Sequence, residues 1–361
     1  MKGAVGMNRE KLMAYMEEKG IDGFFIAKKE NVRYISGYTG WDSYLLITRG
    51  TSYFITDPRY TEQAAMECPA YTIYNWRTPG CTVVDALKTI AEKEHLKTLA
   101  FEGDVMNYRQ YFECREKLRA ELVPADDVIE KIRSVKTPEE IACLRISCQI
   151  ACRAYERLLK EIRVGVTEKE LSAKLVCYMT QEGADAQPNG ILLISGPRTS
   201  LLHGVASAKA IEYGDFVLMD FGCQYKGYIS DMTRTVVVGK ANAKQREVYE
   251  LEKRMLEDSL KVMRAGVPAR DVYKASVRAI EGTEYMQYHY SNVGHGVGLF
   301  VHEQPFTSPV AEEILEENNV RTIEPGLYIP GWGGVRIEDQ ICITKDGYEN
   351  FVSIPHELME L

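Results

Sequence analysis

Histidine is scarce in this sequence, with six in 361 residues, and several other features are missing altogether. No CxxC pair occurs among the nine cysteines, and an odd count without such pairs predicts free thiols in a reducing compartment. Cys148 and Cys152 share a helical face and read as core. Basic clusters are absent too. Lys and Arg number 44 against 52 Asp and Glu, a formal charge of −8 with no arginine-rich stripe, which argues against a nucleic-acid partner. No apolar run approaches a membrane span. The opening MKGAVGMNREKLMAYMEEKG carries charge throughout and has no apolar stretch of the length a signal peptide needs. The expectation is therefore a cytoplasmic protein with no membrane partner. Repeats at a solenoid period and low-complexity linkers are also missing.

What is present suits one large or two ordinary domains, since 45% of the residues are apolar. Residues 1–133 alternate short β-rich runs (23-GFFIA-27, 44-YLLIT-48, 52-SYFIT-56) with helical patterns at Arg59–Glu67 and Val83–Lys93, which predicts a small α/β domain. Residues 134–361 open differently. In 137-TPEE-140, Thr137 can cap a helix, Pro138 suits its first position and Glu140 completes a capping box, so a long helix is expected to about Ile162. Thr167 and Glu170 repeat the signal for a helix ending near Gly183. Strand-like runs at 191-ILLIS-195 and 216-FVLMD-220, helices near 243–264 and 269–281, and a strand-rich end from Val320 complete the pattern.

The acids near the ends of these strands matter most. Asp220 closes one apolar run and Asp231 follows across a turn rich in glycine and tyrosine; Glu324 and Glu338 repeat the arrangement across a Gly/Pro loop. Two hairpins thus each offer two carboxylates. Carboxylates in apolar strands are costly to bury unless something neutralises them. A hard, oxygen-rich set of four acids and one imidazole suits two divalent ions, with His295 in 293-VGHGVGLFVHEQP-305 as the fifth ligand.

The ordered set Asp220, Asp231, His295, Glu324 and Glu338, with the strings DFG…GYISDMTRT, GHGVGLFVHEQP, IEPGLY and GVRIED, resembles the pita-bread metallopeptidases, particularly aminopeptidase P and prolidase. The strings 33-RYISGYTG-40 and 55-ITDPRYTEQA-64 resemble the amino-terminal domain of the same branch. The resemblance implies an α/β amino-terminal domain followed by an α+β pita-bread (creatinase/aminopeptidase-like) catalytic domain that cleaves Xaa-Pro bonds of small peptides. It implies that Asp220 binds one ion, Asp231 and Glu338 bridge, and His295 and Glu324 bind the other. Manganese is the favoured metal, with cobalt, iron and zinc also fitting. His302 and His203 correspond to histidines that stabilise the tetrahedral intermediate and face the substrate, and Glu324 to the proton shuttle. Tyr328 and Arg336 match residues lining or organising the pocket, although they also read as a packed strand aromatic and a salt-bridge partner. A homodimer is implied, with Tyr38 and Trp41 as candidates to narrow the partner's active site. The alternatives are a creatinase-like hydrolase of another small amide and a non-catalytic binding protein on the same fold; both would be expected to have a broken ligand set.

The remaining features read plainly. Glu303 is expected beside the ligands rather than among them, because five residues already fill the shell. The glycines of GHGVGL are not followed by the Lys-Ser/Thr of a phosphate loop. His95 and His356 read as surface residues, and His289 is open. Two positions depart from the family pattern: Ser291 stands where proline-directed members often carry a histidine, and Leu202 where many have proline.

Overall fold

Runs of β-branched and aromatic residues build a six-stranded sheet in the first of two compact units, Met1–Arg133 and Ser134–Leu361. The structure is a computed structural model that describes residues 2–186 and 190–361. The strands of the first unit are β1 (Gly23–Ile26), β2 (Tyr44–Thr48), β3 (Ser52–Thr56), β4 (Thr72–Asn75), β5 (Thr98–Phe101) and β6 (Glu121–Pro124), in the order β4-β3-β2-β1-β5-β6. The central pairs β1–β2 and β2–β3 are antiparallel, and the outer pairs are parallel. Six helices accompany them: α1 (Lys2–Lys19), α2 (Lys29–Ser36), α3 (Thr61–Glu67), α4 (Val83–Lys93), α5 (Tyr108–Lys117) and α6 (Val128–Ser134). α4 starts at a capping box of Thr82 and Asp85, and its apolar stripe of Val83, Val84, Leu87 and Ile90 packs on Phe25, Leu46 and Leu99. Tyr38 corrects an expectation. It is 2% exposed and packs edge-on against Phe54 at 4.7 Å, so it offers no surface to a second copy, whereas Trp41 is 63% exposed.

The second unit begins with the two helices its capping boxes predict, α7 (Pro138–Leu159) and α8 (Glu168–Gln181). Ile141, Leu144, Cys148, Ala151, Tyr155 and Leu158 recur at helical spacing on α7 and are all buried. Ala151, Tyr155 and Leu158 pack on a three-stranded sheet, β11-β8-β7, formed by β7 (Leu192–Ser195), β8 (Phe216–Phe221) and β11 (Met232–Val237). Between β8 and β11 lies a small hairpin, β9 (Gln224–Tyr225) and β10 (Tyr228–Ile229), that the sequence reading did not separate. A second helix pair, α9 (Ala243–Leu260) and α10 (Ala269–Val277), ends four residues earlier in each case than its pattern suggested. It packs on β12 (Val320–Ile323), β13 (Gly326–Ile329), β14 (Gly333–Arg336) and β15 (Asp339–Ile343), with β16 (Tyr348–Asn350) beside β15. The two helix-on-sheet halves meet where Glu338 N–H donates to the Thr233 carbonyl at 3.0 Å. That junction brings the first pair of acids to the second. No helix among the described residues is long and apolar enough to cross a membrane.

Candidate functional site

Each acid is delivered by the end of a strand. Asp220 lies in β8 opposite Thr233 of β11, Asp231 just precedes β11, Glu324 lies between β12 and β13, and Glu338 between β14 and β15. His295 comes from the loop that follows α10, with its N–H donating to Thr322 Oγ1 at 3.1 Å. Its Nδ1 is 2.9 Å from the Gly296 carbonyl. A carbonyl only accepts, so Nδ1 carries a proton and Nε2 faces the acids. Nε2 stands 3.1 Å from Glu324 Oε1 and 3.7 Å from Asp231 Oδ2.

Ligand atoms of Asp231, His295 and Glu338 all lie within 4.8 Å of one another. Glu338 is 1% exposed; its Oε2 accepts from Thr233 Oγ1 at 2.6 Å, while Oε1 has no partner among the described residues. An orphaned buried carboxylate oxygen inside a cluster of acids and one imidazole is the condition a hard divalent cation relieves. The residues present fit such an ion. Asp220 differs, because Arg336 Nη2 holds its Oδ2 in a salt bridge.

The electrostatics agree with an excess of negative charge. Burial, then the neighbouring acids, pushes the Glu338 carboxyl well above the usual carboxylate range; burial, then Asp220, does the same to Asp231. Burial also raises Asp220, although Arg336 opposes it. Glu324 goes the other way: burial would raise it, but the hydrogen bond and charge of His295, with Arg336, hold it low. Burial lowers the His295 imidazole, yet Glu324 and Asp231 more than reverse this and hold it at about 9.

Two cavities meet at Asp220, Asp231, His203 and His302, which line both. One, of about 380 Å³, is walled by Ile191, Leu192, Val205, Ile229, Phe300 and Val301. The other, of about 370 Å³, reaches His295, Glu324, Tyr328, Arg336, Tyr290 and Asn292. The His295 and His302 rings approach edge-on with centroids 4.5 Å apart, and His302 is exposed to the cavities, as is His203. Partial desolvation, then the His295 charge, lowers the His302 imidazole. Arg336 is buried and donates to Tyr328 Oη at 2.7 Å and Thr233 Oγ1 at 3.1 Å besides gripping Asp220.

Several residues lie elsewhere than their sequence context suggested. His356 is half-buried, with Nε2 2.7 Å from Asp339 Oδ2, and is no surface histidine, because Asp339 is fully buried and also paired with Arg234. His289 stands outside both cavities, with Nε2 3.1 Å from Tyr273 Oη, and Ser291 is exposed; Tyr290 and Asn292 on either side of Ser291 are the lining residues. Glu303 pairs with Lys136 at 3.1 Å. The glycines of the GHGVGL string serve close packing: a Cβ at Gly296 would fall 2.2 Å from the Gln304 carbonyl oxygen. Sequence reasoning passed over Thr233, Thr322 and Gln340. All three lie two positions from an acid, the strand period that returns a side chain to the same face.

Comparison with known proteins adds a family. Residues 142–345 match metallopeptidase family M24, and residues 8–135 match the Creatinase/Prolidase N-terminal domain. The Xaa-Pro dipeptidase of Pyrococcus furiosus is 36% identical over 351 residues, 97% of this chain and 99% of that protein. Among solved structures, an Xaa-Pro dipeptidase from Bacillus anthracis superposes with a TM-score of 0.94 at 38% identity, covering 99% of this chain and 100% of that one. An X-Pro aminopeptidase from Thermotoga maritima gives 0.91 at 32% identity, covering 98% and 99%.

Proposed function

This chain belongs to metallopeptidase family M24, and from that premise we propose that it hydrolyses the bond between an amino-terminal residue and a following proline, in dipeptides or at the start of longer peptides. The observation that carries the reading is the convergence of Asp231, His295 and Glu338, whose Oε1 has no partner among the described residues, beside two cavities that are both lined by Asp231.

In this reading Asp220, Asp231, His295, Glu324 and Glu338 hold two divalent ions, with manganese favoured by the family resemblance. The chemistry that such a pair supplies when bound is Lewis-acid polarisation of a carbonyl oxygen and acidification of a water. The chain's own groups do the rest. The Glu324 carboxylate, kept ionised by His295 and Arg336, accepts a proton at Oε1 or Oε2 and returns it to the leaving nitrogen. His302 and His203 stand at the junction of the cavities, where their ring N–H groups can donate to the oxygen of the scissile carbonyl as charge develops on it. Arg336 fixes Asp220 and Tyr328 so that neither wanders into the space the peptide needs. The apolar wall of the first cavity, Ile191, Leu192, Val205 and Val301 among its residues, would shield one side of the bond from water. We take the protein as a cytoplasmic homodimer; nine free cysteines accord with a reducing compartment.

The relatives carry both dipeptidase and aminopeptidase names. The test is hydrolysis of Xaa-Pro dipeptides and of longer Xaa-Pro peptides by manganese-loaded protein, each with and without chelator, beside a creatine control. Cleavage before proline that the chelator abolishes is the expected result; activity on creatine instead would replace this reading with the creatinase-like one.

A further inference from the structure

The loop from His295 to His302 is closed at its neck by two backbone hydrogen bonds of 2.8 Å, Gly296 N–H to the Glu303 carbonyl and Glu303 N–H to the Gly296 carbonyl. Beyond the neck it turns Phe300, Val301 and His302 toward the first cavity. Phe300 is 42% exposed and His302 is exposed as well, so neither side chain is held by packing alone. Beneath them lies the buried Glu303 carboxylate. Its Oε1 accepts the Phe300 N–H at 3.0 Å, and it lies so close under Gly298 that a Cβ there would fall 2.8 Å from both of its oxygens. Its charge is met by Lys136 Nζ at 3.1 Å; the two side chains are 2% and 4% exposed and 167 positions apart in sequence.

Lys136 is itself anchored. Its N–H donates to the Asn318 carbonyl at 3.0 Å, and Asn319 Nδ2 donates to the Ser134 carbonyl at 3.0 Å, so the ammonium projects from a strapped segment. On the opposite side of the loop, Ile229 N–H donates to the Gly298 carbonyl at 2.8 Å, two residues before Asp231. The loop is therefore held between a strand leading to Asp231 and a buried cation. A buried ion pair is a weak source of stability, because the desolvation of both charges offsets their attraction. Separating its partners would leave an uncompensated buried charge, so the pair penalises any loop position that pulls Glu303 away from Lys136.

Resting on the peptidase reading above, we propose that the Lys136–Glu303 ion pair is the positioning device of this loop, holding His302 against the scissile bond and Phe300 and Val301 as the wall that meets the residue before proline. Both are positioning residues: they act through the loop and do not face either cavity.

A lone buried charge can unfold a chain, so the decisive variant removes both charges at once, Lys136→Met/Glu303→Gln, which keeps an acceptor for the Phe300 N–H. With full-length, manganese-loaded protein the expected result is metal content and Tm near wild type, faster amide hydrogen exchange across residues 297–303, and kcat on Xaa-Pro peptides lowered by roughly 10- to 100-fold, the cost of misplacing a catalytic group by up to about 1 Å. The ratio of kcat/KM for Leu-Pro over Ala-Pro peptides should shift as well, an effect that a merely structural pair would not produce. Wild-type exchange in that segment, or wild-type kcat and substrate ratio in the folded double variant, overturns the proposal. The exchange measurement needs no substrate, so it stands apart from the peptidase reading, whose failure would appear as an inactive wild type.

Discussion

Thr322 of β12 lies directly across from Gln340 of β15, and the two side chains hold the backbones of two candidate ligands: Thr322 Oγ1 accepts the His295 N–H at 3.1 Å, and Gln340 Oε1 accepts the Asp231 N–H at 2.9 Å. Paired residues share a face of the sheet, so one cross-strand pair braces both halves of the cluster. Gln340→Met keeps the volume and removes the acceptor. Leaving the Asp231 N–H unpaired should cost about 1–3 kcal/mol of stability. Manganese affinity should fall roughly 10- to 100-fold, as for other groups that orient metal ligands. Calorimetric titration and a melting curve check both, and an unchanged Kd would remove Gln340 from the account.

Metal removal should make stability unusually sensitive to pH. Burial raises the folded-state pKa of Asp231 and Glu338 above their unfolded values, which lie near ~4. Below that pH both states are protonated; as pH rises the unfolded chain ionises first, so stability is lost until pH passes the folded values. His295, held at about 9, adds stability below its unfolded value near ~6.5 that is lost as pH rises through 9. In chelator, Glu338→Gln should therefore melt higher than wild type at pH 7 and converge with it near pH 4, while binding fewer ions when manganese is restored. Parallel Tm-against-pH curves for the two proteins would contradict this.

The two histidines of the 293–305 stretch should separate by phenotype. His295→Ala removes a group whose Nε2 faces Glu324 and Asp231, and should lose metal. His302→Ala should retain metal and lose ~10²–10³-fold in kcat, the range for removing an oxyanion-stabilising donor. Metal analysis alongside kinetics decides, and equal metal loss in both variants would mean that their roles are wrongly divided.

The parts of this site that could be read from the sequence were those written locally. Thr137 with Glu140 and Thr167 with Glu170 name helix starts because a capping box is complete within four residues, and the structure has both boxes. The apolar runs ending at Asp220 and beginning after Asp231 read as a hairpin because strand alternation is equally local. Lys136 was invisible, since nothing in VKTPEE announces a partner 167 residues away. His356 misled for the same reason: its polar, terminal neighbourhood says nothing of Asp339 buried beneath it. Ser291 was singled out from a family pattern, but whether a loop residue or its neighbour faces a cavity depends on backbone twist that no short string specifies.

That distinction is testable. Asn292 lines the second cavity and Ser291 does not. Asn292→Ala should lower kcat/KM for Xaa-Pro peptides by on the order of 10-fold if one hydrogen bond to substrate is lost. Ser291→Ala should leave it within about 2-fold, as expected for an exposed position. The reverse order of effects would return the role to Ser291.

The most direct measurement is the rate of proline release from an Xaa-Pro dipeptide, with the matched Xaa-Ala dipeptide as control, by protein stripped of metal and then titrated with manganese. The account predicts no cleavage without metal, activity that saturates at two ions per chain, and a clear preference for the proline substrate. Undiminished cleavage in the stripped protein, or equal rates on both dipeptides at full metal loading, would contradict it.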